Sequence, residues 1–83
     1  MNGGPARCVV YRSTRKADTY LYIDREDDFT RVPEPLRVML GALERVMTLE
    51  LAPGRRLARA DVETVRRRLA EDGYYLQVPP AVF

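Results

Sequence analysis

Two early runs of the chain, Arg7 to Arg12 and Thr19 to Ile23, hold unbroken apolar stretches, Cys8 to Tyr11 and Tyr20 to Ile23, whose side chains sort onto two faces with a period of two. In the first, Val9 and Tyr11 share one face and Cys8 and Val10 the other. In the second, Tyr20 and Tyr22 stand opposite Leu21 and Ile23. Both read as strands, because successive side chains of an extended chain point to opposite sides. The polar, cationic stretch Ser13 to Asp18 between them predicts a hairpin with a long loop, although no Asn-Gly pair sets its type. A third run of period two, Arg45 to Leu51, places Met47, Leu49 and Leu51 against Val46, Thr48 and Glu50. Tyr74 to Val78 predicts a last strand, stopped by Pro79 and Pro80.

Helical periodicity occupies the intervals. Pro33-Glu34-Pro35 predicts a helix start, since proline lacks an N–H where that N–H would have no partner inside the helix. Leu36, Met39, Leu40 and Leu43 then follow at i, i+3, i+4 and i+7, one apolar stripe, and Gly41 keeps the helix short. Arg59 to Asp72 predicts a second helix, with Val62, Val65 and Leu69 on its buried stripe. Asp61 and Glu63 fall in its first turn, where the helix dipole favours acids, and Gly73 supplies its stop. The element order is ββαβαβ. An α+β fold follows, the order allowing a mixed small sheet covered by helices. Met1 to Pro5, rich in glycine and proline, reads as loose chain, and Pro53-Gly54 as a break.

A chain of 83 residues supports one small core and one domain, residues 1–83. Hydrophobic residues make up 46% and charged residues 31%, a balance that argues for a folded rather than a disordered chain. One cysteine rules out an internal disulfide framework. The chain shows no signal-like run and no apolar stretch approaching the ~20 residues of a membrane helix. The expectation is a cytoplasmic protein with no membrane partner.

The charges are unevenly spread. Residues 1–23 carry a net +3, residues 24–50 a net −3 and residues 51–83 a net +2. Thirteen of the fourteen cations are arginine, which suits bidentate recognition of phosphate or carboxylate. A coding bias towards arginine explains the same count. An isoelectric point near 9.0 is short of a nucleic-acid signature.

The densest chemistry lies in the acidic run Asp24, Glu26, Asp27 and Asp28. Asp24, Glu26 and Asp28 have the first, third and fifth places of a calcium loop. Phe29 stands where that loop needs glycine and Pro35 where it needs its distal glutamate, so the match fails. A Mg²⁺ site at Asp24, Asp27 and Asp28 is left as a weak candidate. The ordinary reading is a solvated turn between a strand and a helix, flanked by Arg25 and Arg31. With no histidine, one serine (Ser13) and one cysteine (Cys8), triads of the Ser-His or Cys-His kind and histidine-bearing zinc sites are excluded. Cys8 fits a core position better than a nucleophile's. Arg66-Arg67-Arg68 spreads its cations around a helix and favours the dipole there.

Five tyrosines, Tyr11, Tyr20, Tyr22, Tyr74 and Tyr75, stand among arginines. Such a surface stacks bases on some RNA-binding sheets and anchors contacts at protein interfaces. It also fills a half-buried sheet with no further role.

The ordered segments VVYRS, TYLYI, DDFTRVPE and DGYYLQVPP resemble the YcgL-type domain of proteobacteria, over Cys8 to Pro80. The resemblance implies a compact α/β/α sandwich around a mostly antiparallel sheet in a bacterial cytoplasmic protein, without an established activity. Members of that family often continue past the Pro-Pro pair, so a role carried by such a tail is not expected in a chain ending at Phe83. The matching motifs place a family site among Arg12, Ser13, Tyr20, Tyr22, Asp27, Asp28, Tyr74, Tyr75 and Gln77.

The residues favour a monomeric, non-enzymatic module that binds an unidentified protein partner and needs no cofactor. RNA binding through Arg12, Arg15 and Lys16 with tyrosine stacking is the alternative reading, and the acidic turn the third.

Overall fold

The computed structural model describes residues 7–51 and 61–79. The six elements follow the expected order: β1 (Arg7–Ser13), β2 (Tyr20–Ile23), α1 (Glu34–Leu40), β3 (Leu43–Glu50), α2 (Val62–Glu71) and β4 (Tyr75–Gln77). The sheet runs β3-β1-β2-β4, and each of its three pairings is antiparallel.

Alternation along β1 and β2 builds two cores, one on each face of the sheet. Cys8, Val10 and Tyr22 pack with Leu51 against Val62, Val65 and Leu69 of α2. Val9, Tyr11, Leu21 and Ile23 pack on the other face with Val32 and with Leu40 of α1. The result is the expected α/β/α sandwich, with β1 and β2 buried on both faces.

The helices are short and firmly ended. Pro33 precedes α1 and Pro35 lies in its first turn. At α2 the Asp61 carboxylate accepts the Thr64 N–H at 3.2 Å, the usual way an orphan donor is satisfied. Each helix stops at a glycine of positive φ, Gly41 at 73° and Gly73 at 87°. An arginine from elsewhere lies across each glycine. A Cβ on Gly41 would come within 2.6 Å of Arg15 Cγ, and one on Gly73 within 2.5 Å of Arg31 Cβ. The guanidiniums then donate to terminal helix carbonyls, Arg15 to Val38 at 3.4 Å and Arg31 to Glu71 at 3.0 Å. Two loops are thereby pinned to two helix ends, where cations also favour the dipole.

Several boundaries differ from the periodicity. β1 runs one residue further, to Ser13, and β2 starts one later, at Tyr20. β3 begins at Leu43 rather than Arg45, because the Thr14 N–H bonds to the Ala42 carbonyl at 3.1 Å and draws the chain into the sheet. Leu43 is therefore a strand residue, and the α1 stripe reduces to Leu36 and Leu40, with Met39 exposed. α2 starts at Val62, after its Asp61 cap, and β4 spans only Tyr75–Gln77. The expected Pro53-Gly54 break, the helical start at Arg59, the loose Met1 to Pro5 and Pro80 lie outside the described residues.

The largest departure is β3 itself. Val46 is an extra residue opposite the Val10–Tyr11 step, a β-bulge. Of the eight residues only Leu43 and Leu49 are even half-buried, while Val46 and Met47 are 52% and 45% exposed. Of the three residues that the period of two sets on one face, Leu51 is buried and Leu49 half-buried, while Met47 stays exposed. Among the described residues β3 is an edge strand, and Met47 is not among those packed on the α2 core. No helix in the described residues is long and apolar enough to cross a membrane.

Candidate functional site

The hairpin loop after β1 is held by its own polar residues. The buried Ser13 hydroxyl donates to the Leu40 carbonyl at 2.6 Å and accepts the N–H groups of Lys16 and Arg15 at 2.9 and 3.2 Å. The Thr14 hydroxyl donates to the Ala42 carbonyl at 2.8 Å. With Arg15 laid across Gly41, the loop is clasped to the end of α1. Asp18 takes a positive φ of 56°, which aspartate tolerates better than most residues.

Beside this loop the strands open a groove of about 380 Å³, walled by Arg12, Ser13, Thr14, Asp18, Tyr20 and Glu44. Arg12 and Glu44 face each other across β1 and β3 and form an ion pair. The Glu44 carboxylate raises the Arg12 pKa, first through its hydrogen bond and then through its charge. Tyr20 lies between Arg12 and Gln77 in the sheet register. A second groove, of about 570 Å³, runs beside α1 and is lined by Phe29, Glu34, Arg37, Val38, Gly41 and Leu43. There the Arg37 guanidinium lies 5.6 Å from the centre of the Phe29 ring, within cation–π range.

The sequence candidates divide accordingly. Arg12, Ser13 and Tyr20 meet at the first groove, with Arg15 and Lys16 on its loop. Ser13 and Arg15 are engaged in clasping that loop, and Lys16 is exposed. Tyr22 is buried. Its hydroxyl donates to Gln77 Oε1, and its ring meets Tyr75 edge-on at 5.4 Å. Burial, with smaller contributions from Cys8, Tyr75 and Tyr20, pushes the Tyr22 hydroxyl up to about 12. Tyr75 belongs to the α2 core and Tyr74 to the α1 core, so the tyrosines are split between the two faces of the sheet. The Cys8 thiol is pushed up to about 12 by burial, far from the thiolate a nucleophile needs.

The acidic turn is locally satisfied. The Tyr11 hydroxyl accepts the Asp27 N–H at 2.7 Å and donates to Asp27 Oδ1 at 3.2 Å. Asp28 Oδ1 accepts the Thr30 hydroxyl at 2.7 Å and the Thr30 N–H at 3.2 Å, which lowers the Asp28 pKa. Glu26 pairs with Arg45 of β3 at 3.5 Å, and Asp24 is exposed. Among the described residues no three acidic or cysteine side chains are grouped to hold a metal ion.

Thr14, Asp18, Glu44, Val46 and Met47 had not been singled out as site residues. Glu44, Val46 and Met47 reach β1 only because β3 crosses back to pair with it, which no local spacing encodes, while Thr14 and Asp18 come with the hairpin loop itself.

A three-layer α/β/α domain with a short antiparallel sheet and an open groove at its hairpin end is the class these features define. The YcgL domain model matches residues 8–80, and the chain belongs to that family. YcgL domain-containing proteins of Proteus mirabilis and Pectobacterium atrosepticum are each 51% identical to it over 75 residues. The alignments cover 90% of this chain and 77% and 88% of those proteins. One from Pseudoalteromonas translucida is 52% identical over 72 residues, covering 87% of this chain and 77% of that protein. Their names state the domain and no activity.

Proposed function

We propose that this domain is a non-enzymatic protein-interaction module that meets its partner along β3 and the adjoining Arg12–Glu44 groove. One observation carries the reading: the longest strand of the sheet keeps Val46 and Met47 exposed on an edge, where no described strand covers them. Neighbouring apolar side chains left in water favour a contact that removes them from it. Arginine and tyrosine at the groove, Arg12 and Tyr20, are residue types enriched at such contacts. The proposal includes a cytoplasmic setting and a monomeric free state.

The RNA alternative has less support. Arg15 is turned onto the α1 end, Arg12 is paired with Glu44, and Tyr22 and Tyr75 pack beneath α2.

Photo-crosslinking in bacterial cells tests the reading. A photoreactive residue at Met47 is expected to capture protein, and one at Arg67, exposed on α2, is expected to capture far less. Equal capture at both positions, or capture of RNA alone at position 47, overturns it.

A further inference from the structure

The interaction reading leaves the partner's chemistry open, and the charges around β3 narrow it. Each charged residue of β3 already faces an opposite charge in its own chain. Glu44 is paired with Arg12, Arg45 with Glu26, and Glu50 sits opposite Arg7 in the β1 register. What this edge leaves unmatched is apolar: Val46 and Met47. A charged segment brought against Val46 and Met47 would lose water to apolar side chains that return no counter-charge. An uncharged one gains the burial of two side chains.

The backbone adds a second constraint. An edge strand directs alternate N–H and C=O groups outward, and an extended chain satisfies them by pairing. The bulge at Val46 interrupts the regular β1 register, which is continuous only from Met47 to Glu50 on this side. Regular addition is therefore confined to four residues, the length of β2. A bulge also discourages long edge-to-edge pairing of two copies.

Resting on the interaction-module reading, we infer that β3 takes up an uncharged, apolar extended segment of a partner protein, as a fifth strand along Met47–Glu50.

The test is an NMR titration of the full chain, labelled on its amides, with capped six-residue peptides of alternating threonine and valine. Saturable shifts are expected at Met47–Glu50, changing in affinity by less than about twofold between about 50 and about 300 mM salt. Replacing the peptide's valines by lysine or by glutamate is expected to weaken binding about tenfold or more, as is Met47→Asp in the protein. Charged peptides that bind as well as the neutral one overturn the charge argument. Shifts on β3 that grow with protein concentration alone assign the edge to a second copy and overturn the partner. If no peptide shifts β3 while crosslinks at position 47 persist, strand addition falls and the interaction module stands. If the crosslinks also vanish, both fall.

Discussion

β1 and β3 lie side by side at nearly equal length, paired on either side of the bulge at Val46, yet they occupy different environments. β1 buries Cys8, Val9, Val10 and Tyr11 in succession, whereas β3 buries none of its residues fully. The cross-strand neighbours Val10 and Met47 make the contrast local, since one is 4% exposed and the other 45%. Composition does not separate them, because both strands mix apolar residues with arginine. Position does. β1 has a strand on each edge and a packed core on each face, while β3 has one neighbour among the described strands and packs on the α2 core through Leu49. A central strand of a small sheet carries its stability, and an edge strand is free to carry recognition.

An aspartate exchanged into each member of that pair gives the sharpest break. Val10→Asp is expected to cost about 4 kcal/mol or more, enough to unfold a domain of this size, because the charge is buried without a partner. Met47→Asp is expected to cost about 0.5 kcal/mol or less, as exposed substitutions do. Urea unfolding followed by circular dichroism measures both, and similar midpoints for the two variants would erase the distinction.

A smaller difference separates two contacts made to the same acidic turn. Tyr11→Phe removes the hydroxyl that joins β1 to Asp27 and is expected to cost about 1–2 kcal/mol. Arg45→Gln removes the pair between β3 and Glu26, half-exposed on both sides, and is expected to cost about 0.5 kcal/mol or less. Adding salt should shrink only the second loss.

Alkaline pH offers a third comparison. Cys8 and Tyr22, on β1 and β2, are both raised by burial, from 9.0 and 10.0 to about 12. Raised values mean that the folded state holds these protons more tightly. Their contribution is whole below the ordinary values and is lost as pH climbs towards about 12. A fall in melting temperature beginning near pH 9 is expected. Cys8→Val should remove its lower part and Tyr22→Phe its upper part. Met47→Leu on β3 should leave the whole profile unchanged, and an altered profile in that variant would show that the edge strand shares the core's titration.

Much of the fold was readable from spacing. Short continuous apolar runs rich in tyrosine and β-branched residues located β1 and β2 within a residue, because a strand buried on both faces carries apolar side chains at successive positions. Pro33 and Gly41 bracketed α1 and Gly73 stopped α2, since each acts on the backbone next to it, whereas Asp61 read as a first-turn acid and is the cap before Val62. Less of the candidate site was readable. Arg12, Ser13 and Tyr20 were legible as polar or aromatic residues at strand ends. Glu44 was not, because its meeting with Arg12 spans distant parts of the chain. Arg15 and Arg31 gave no local sign that they lie across Gly41 and Gly73.

The amino-acid order by itself determined which residues alternate, where helices start and stop, and that no histidine-based chemistry is present. Those properties arise from backbone preferences and residue types acting over a few positions. Tertiary structure alone decided that β1 would be central and β3 an edge, that the tyrosines would be split between two cores, and that Met47 would face water. Those outcomes depend on which strand finds which neighbour, and pairing across thirty or more residues is settled by burial of the whole sheet rather than by any local pattern.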